Sequence, residues 1–290
     1  MSSRTSLPAL MRQQHPGGKI RVGRQVLRND AYTRWEVTYP SGPTTVSGVL
    51  LRPRGRGPFP AVVLNHGYIE PSVYVTGQGL MREQDALARA GFVVLHTDYR
   101  GHAASDPASV LGQQTRLGYT RDTLEAVASL KRLPSVDPDR VAMLGRSMGG
   151  GVTLNALVVA PGAVRAAVVF APVSSDFLDN FRRWTVAERP DAAAAFYARH
   201  GTPESAPRLY RDLSARTFFD RVTEPVLIHH GTADDTCPIQ WSRTTQRLLR
   251  QAGARSRLDV YPGEQHAFGP QWPLSMDRTI RFLRTRLATT

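Results

Sequence analysis

Gly145-Arg146-Ser147-Met148-Gly149 is a G-x-S-x-G run, the spacing that holds a serine hydroxyl on a sharp turn between a strand and a helix. So tight a turn tolerates only small neighbours, and Gly145 and Gly149 meet that need. Gly150 and Gly151 let the following helix approach adjoining elements. The turn also sets Ser147 at a helix N-terminus, where free N–H groups favour a developing negative charge. The chemistry implied is attack of Ser147 on a carbonyl.

A serine hydroxyl is a poor nucleophile without a base, and the base needs an acid to orient it. Where a G-x-S-x-G turn carries the nucleophile, the partners follow in the order acid, then histidine. Of the eight histidines, His266 is the one downstream of the acid candidates. It lies in Pro262-Gly263-Glu264-Gln265-His266-Ala267-Phe268. The acid belongs in His230-Gly231-Thr232-Ala233-Asp234-Asp235-Thr236-Cys237-Pro238. Spacing alone leaves Asp234 and Asp235 both open, while Asp259 sits within a strand pattern and competes poorly. Two N–H donors must stabilise the oxyanion. Met148, next after the nucleophile, is one. Tyr68, in the loop Asn65-His66-Gly67-Tyr68, is the other, with Gly67 leaving room for the backbone to turn inward. The Tyr68 phenol either touches substrate or packs aside. Asp98 and Arg100 read as ties between loops, and Cys237 as a small buried filler. No cluster has metal-ligand spacing and no Gly-rich phosphate loop follows an early strand, so no cofactor or metal is expected.

The elements that must position these residues follow a regular rhythm. Trp35–Tyr39 and Val46–Leu51 alternate in period two around Pro40-Ser41-Gly42-Pro43, a hairpin-like pair. Short continuous apolar runs at Ala61–Leu64, Phe92–Leu95, Val141–Leu144, Ala166–Phe170, Val226–Ile228 and Leu258–Tyr261 read as buried strands. Helical patterns separate them over Gly79–Ala90, Thr120–Leu133, Met148–Val159 and Pro238–Gln251, and Met276–Leu287 closes the chain. This alternation implies an α/β fold with a mostly parallel sheet and helices on both faces. Residues 1–33 read as an irregular start and 34–290 as one domain. Between about 173 and 221 no strand pattern occurs, only helix-like stretches such as Phe177–Trp184 and Pro190–His200. Ligands of open α/β sheets bind at the carboxyl ends of the strands, so this insertion is expected to form a small helical cap over the site.

At these residues the chain resembles the prolyl oligopeptidase branch of the α/β-hydrolases, including its single-domain bacterial esterases and peptidases. Asn65–Tyr68, Asp98-Tyr99-Arg100-Gly101-His102, Gly145–Gly151, His230–Pro238 and Gly263–Phe268 carry the likeness, in order, from about Trp35 onward. In that family the first aspartate after H-G-x-x is the triad acid, which implies Asp234. The resemblance implies a serine hydrolase with the triad Ser147, Asp234 and His266, acting on an ester or an amide. Two departures stand out: no β-propeller precedes the hydrolase domain, and Cys237 stands where valine is usual.

Composition narrows the partners. With 290 residues, 41% hydrophobic and 21% charged, the chain can bury a sheet covered on both faces. The net charge of +13 raises nucleic acid as a partner. The charge is nearly all scattered arginine, however, without a long basic run, so no nucleic-acid role is expected. Cys237 is the only cysteine, the start lacks the apolar core of a signal peptide, and no run reaches membrane-span length. The expectation is a soluble enzyme, cytoplasmic or else secreted with its signal removed, whose oligomeric state the sequence leaves open. Small carboxylic esters are the favoured substrates; short or N-acylated peptides are the alternative. A third reading retains the fold as a binding protein with an unproductive triad.

Overall fold

The computed structural model describes residues 5–288. A short helix, α1 (Leu7–Met11), precedes three antiparallel strands, β1 (Arg21–Arg28), β2 (Tyr32–Ser41) and β3 (Thr44–Pro53). β2 and β3 pair without slippage from Tyr32↔Pro53 to Ser41↔Thr44, around Gly42 at φ 62°. The expected hairpin is therefore present. The expectation of an irregular 1–33 requires correction, because β1 lies within it. β1 is an edge strand with almost every residue exposed, and its register with β2 shifts twice. It therefore lacks the buried period-two face by which a strand is recognised.

Alternation then takes over. β4 (Phe59–Asn65), α2 (Met81–Arg89), β5 (Val93–Thr97), α3 (Val110–Thr115), α4 (Leu117–Leu130) and β6 (Val136–Arg146) come first. They are followed by α5 (Met148–Val159) and β7 (Ala166–Phe170). The segment up to β8 (Val226–Gly231) holds only helical turns: α6 (Phe177–Asn180), a π-helical stretch (Phe181–Val186), α7 (Pro190–His200), α8 (Pro207–Asp212) and a 3₁₀ stretch (Ala215–Arg221). α9 (Ile239–Gln251), β9 (Ser256–Tyr261) and α10 (Trp272–Arg286) complete the fold. The nine strands lie in the order β1-β2-β3-β5-β4-β6-β7-β8-β9, parallel from β5 to β9. This is the expected α/β-hydrolase architecture.

Successive strand residues point to opposite faces, and the apolar runs divide accordingly. Ala61, Val63, Val93, Leu95 and Met143 pack with Leu124, Leu154 and Leu249 of α4, α5 and α9. Val62, Leu64, Val94 and Leu144 pack with Leu87 and Leu283 of α2 and α10. Register then fixes the site. Asn65 pairs with Gly145, Arg146 with Phe170, Phe170 with His229 and Gly231 with Tyr261, so these parallel strands finish along one edge. The loops carrying Tyr68, Ser147, Asp234 and His266 all leave that edge.

Candidate active site

Ser147 joins β6 directly to α5 and holds φ 55°, ψ −120°. A side chain adopts this conformation only where its surroundings enforce it. Here its N–H donates to Phe170 O at 2.9 Å, and its carbonyl accepts from Val173 N at 3.1 Å and Gly151 N at 3.2 Å. The flanking glycines are sterically required. A Cβ on Gly145 would sit 2.2 Å from Gly149 O, and one on Gly149 would sit 1.9 Å from Asn65 O. A Cβ on Gly67 would lie 3.3 Å from Ser147 Cβ, so the loop after β4 runs in contact with the serine. Neither Tyr68 N–H nor Met148 N–H donates to an acceptor among the described residues, leaving two amide donors free beside Ser147.

Asp234 and His266 meet across two loops, with Asp234 Oδ2 at 2.8 Å from His266 Nδ1. Asp234 Oδ1 accepts from Thr236 N at 2.9 Å and Cys237 N at 2.8 Å. Burial alone would raise its pKa, but hydrogen bonds from His230, His266 and the Cys237 amide outweigh it. The carboxyl is held far below the usual range. Asp235 is exposed, its carboxylate receives the Thr236 hydroxyl at 3.2 Å, and its carbonyl accepts from Arg183 at 2.6 Å. Geometry thus brings Asp234, not Asp235, to His266. No hydrogen bond joins Ser147 Oγ to His266 among the described residues. The thiol of Cys237, fully buried, lies beside Ser147, and burial pushes it up to about 12, which keeps it protonated.

Two residues with supporting positions escaped the sequence reading of the site. His230 Nδ1 meets Ser242 Oγ at 2.7 Å, and its Nε2 lies 2.8 Å from Cys237 O and 3.2 Å from Asp234 Oδ2. Glu264 accepts from Gly269 N and Gln271 N through its carboxylate, and its carbonyl accepts from Ala233 N at 3.0 Å. The acid loop and histidine loop are therefore tied together, and a Cβ on Gly231 would come 2.1 Å from Glu264 O. His230 stands four residues before Asp234, but a buried strand histidine looks the same in sequence whatever it touches.

Asp98 accepts from Ser47 Oγ at 2.7 Å, Tyr74 OH at 2.8 Å and Gly77 N at 2.8 Å, as a tie between loops would. Arg100 pairs with Asp122 at 2.6 Å. The Tyr68 hydroxyl donates to Glu70 at 2.6 Å, and the residue is 55% exposed. A cavity of about 450 Å³ opens beside Met148 and Tyr68, and Phe177, Phe181 and Trp184 from the segment between β7 and β8 also line it. Among the described residues no group of histidine, cysteine and carboxylate could hold a metal, and no helix is long and apolar enough to cross a membrane.

Comparison with known proteins agrees with this architecture. Residues 79–287 match the family model of the prolyl oligopeptidase family. The uncharacterized peptidase YuxL of Bacillus subtilis (strain 168) is 28% identical over 236 residues, covering 76% of this chain and 33% of its own length. The chain thus spans about a third of that relative. The uncharacterized peptidase YtmA of the same organism is 28% identical over 242 residues, covering 82% of this chain and 87% of its own. The solved acetyl xylan esterase 1 from Thermoanaerobacterium sp. JW/SL YS485 superposes with a TM-score of 0.72 at 20% identity, covering 98% of this chain and 92% of that one. That likeness is one of fold.

Proposed function

Because the chain belongs to the prolyl oligopeptidase family, we propose that it is a serine hydrolase cleaving small carboxylic esters through an acyl-enzyme. Ser147 is the nucleophile, His266 the base and Asp234 the orienting acid. The 2.8 Å contact between Asp234 and His266 Nδ1 carries this reading. With the proton of Nδ1 directed at a carboxylate, the lone pair of Nε2 is left to accept from a hydroxyl.

The reaction follows from that tautomer. Ser147 Oγ adds to the carbonyl carbon as its proton passes to His266 Nε2. The carbonyl oxygen becomes an oxyanion held by the N–H groups of Tyr68 and Met148, which have no other acceptor among the described residues. Collapse expels the alkoxide, which takes the proton from Nε2, and leaves the acyl group on Ser147. Water then repeats the sequence to release the acid. Asp234 stays ionised throughout and stabilises the imidazolium that forms twice. Hydrogen bonds of this kind are often long without substrate and shorten in the complex, which fits a serine not yet bonded to His266.

Esters are favoured because the cavity beside Met148 is modest, about 450 Å³, and lined in part by aromatic side chains of the helical segment between β7 and β8. That suits a short acyl group better than an extended chain. The second reading is a peptidase releasing short or N-acylated residues, and the name of YtmA as an uncharacterized peptidase favours it. Rates on p-nitrophenyl butyrate and on an aminoacyl p-nitroanilide, with Ser147→Ala as the blank, separate the two. Ester turnover far above anilide turnover, lost in the variant, is the expected result. Comparable anilide turnover would move the assignment to a peptidase. Absence of any Ser147-dependent rate would overturn the acyl-transfer mechanism.

A further inference from the structure

The cavity holds a cation that has no counter-ion. Two other inward arginines are paired, Arg100 with Asp122 at 2.6 Å and Arg146 with Glu83, whereas the half-buried Arg34 reaches only Gly77 O, at 3.5 Å. Arg116 lines the cavity and is half-buried. Among the described residues it forms no ion pair and its guanidinium makes no hydrogen bond. The ring of Trp184, with its centroid 5.8 Å from Cζ, is its neighbour. A guanidinium stays charged in proteins, and drawing it from bulk water without a carboxylate is costly. The fold nonetheless holds it there, on a backbone at φ 59°, ψ 11° between α3 and α4. That left-handed conformation is unfavourable for a residue with a Cβ. A second guanidinium, Arg189, lines the same cavity. Glu70, which also lines it, is engaged by the Tyr68 hydroxyl at 2.6 Å rather than by either arginine.

The position of the cavity says which part of a substrate would meet that charge. Tyr68 and Met148, which flank the serine turn, line it, and Ser147, Asp234 and His266 do not. A leaving group must depart beside His266, since Nε2 protonates it. The cavity on the side of the oxyanion donors is then left for the acyl group.

We propose that Arg116 binds a carboxylate on the acyl part of the substrate, so that the preferred esters are hemi-esters of short dicarboxylic acids. This rests on the acyl-transfer reading of the site, and the test keeps the two apart. Affinity is measured calorimetrically on Ser147→Ala, which cannot consume the ligand, with monomethyl glutarate and its neutral counterpart methyl pentanoate. A charge-assisted pair with Arg116 predicts about ten-fold or more tighter binding of the hemi-ester. That advantage should shrink with added salt, fall to within about two-fold when Arg116→Met is added, and return in part with Arg116→Lys. Arg243→Met, on the exposed side of α9, should leave it intact. Equal affinity for the two ligands, no measurable binding of the hemi-ester, or an advantage that survives Arg116→Met would overturn the proposal. Hydrolysis of p-nitrophenyl hemiglutarate and p-nitrophenyl pentanoate by the unaltered protein is the companion reading. If neither is turned over, the acyl-transfer mechanism fails, while the affinity ratio still decides the role of Arg116.

Discussion

Two adjacent aspartates stand in the acid loop, and the fold treats them differently. Asp234 is wedged between His266, His230 and two backbone amides, while Asp235 is exposed. Asp234→Asn keeps the shape but presents the amide in place of an acceptor pair, which favours the wrong tautomer of His266. A loss in kcat on the order of 10³–10⁴-fold is expected. Asp235→Asn should stay within about two-fold of the parent, because an exposed carboxylate acts weakly on its surroundings. Steady-state rates on one ester decide it, and a large loss in Asp235→Asn would reverse the assignment of the acid. Much of this site can be read from residues alone. The G-x-S-x-G run and the order of acid and histidine identify Ser147 and His266 as candidates before any coordinates. The choice between Asp234 and Asp235 cannot be made from spacing, since one residue of loop shifts a side chain by more than a hydrogen bond. His230 is illegible because a buried strand histidine looks the same whatever it touches, and Glu264 and Arg116 because their parts depend on contacts with segments distant in sequence.

At the scale of elements, the site depends on how closely α5 lies against the end of β4. Gly149 is the point of contact, with a Cβ placed 1.9 Å from Asn65 O, a backbone atom that cannot swing aside. Gly149→Ala must push α5 away from the loop that carries Tyr68, so stability and the proposed oxyanion donors are disturbed together. A destabilisation of about 2–4 kcal/mol is expected, with a fall in kcat on the order of ten-fold or more in whatever remains folded. Gly162 provides the contrast. It has φ +80° and nothing within 4 Å of a Cβ, so Gly162→Ala should cost only the backbone term, about 1–2 kcal/mol, and leave kcat unchanged. Thermal unfolding and kcat of the two variants test this, and equal behaviour would remove the steric argument. The strands that press on these contacts are evident in the sequence because burial on both faces leaves continuous apolar runs, as in Ala61–Leu64 and Ala166–Phe170. β1 is hidden because an exposed edge strand has no such constraint. The strandless stretch between β7 and β8 is visible as a gap in the rhythm. Its helices pack through aromatic contacts, such as Phe181 on Phe196 at 4.8 Å, that no periodicity encodes.

The whole molecule keeps several histidines neutral inside it, and this sets how it responds to acid. Burial pushes His66 down to about 4, with His102 nearby adding to the effect, and burial pushes His229 down to about 3, helped by Arg257 and Arg278. His96 is lowered for the same chief reason. In the unfolded chain these rings take up protons near pH 6.5. Between there and their folded values the unfolded state binds more protons, so stability rises with pH and is lost as pH falls. Each ring contributes a slope of up to about 1.4 kcal/mol per pH unit across its window. Asp98, Glu125 and Glu224 are shifted upward by burial. They act in the opposite sense, because the folded state then holds a proton that the unfolded state has released. Asp234, held low, adds instability only below its unfolded value near pH 4. His66 and His229, with the widest gaps between folded and unfolded values, span the interval from about pH 6.5 to 4, where a net loss of stability is expected. Urea midpoints measured across that interval should fall steadily, after a plateau above about pH 7.5. His229 is the ring to replace, since its nitrogens meet Tyr261 OH at 2.8 Å and Thr279 Oγ1 at 3.0 Å. His229→Gln offers those hydroxyls a partner that does not titrate. The slope should then drop by one proton's worth, whereas an unchanged slope, or a parent midpoint that is flat from pH 7 to 5, would place the acid sensitivity elsewhere.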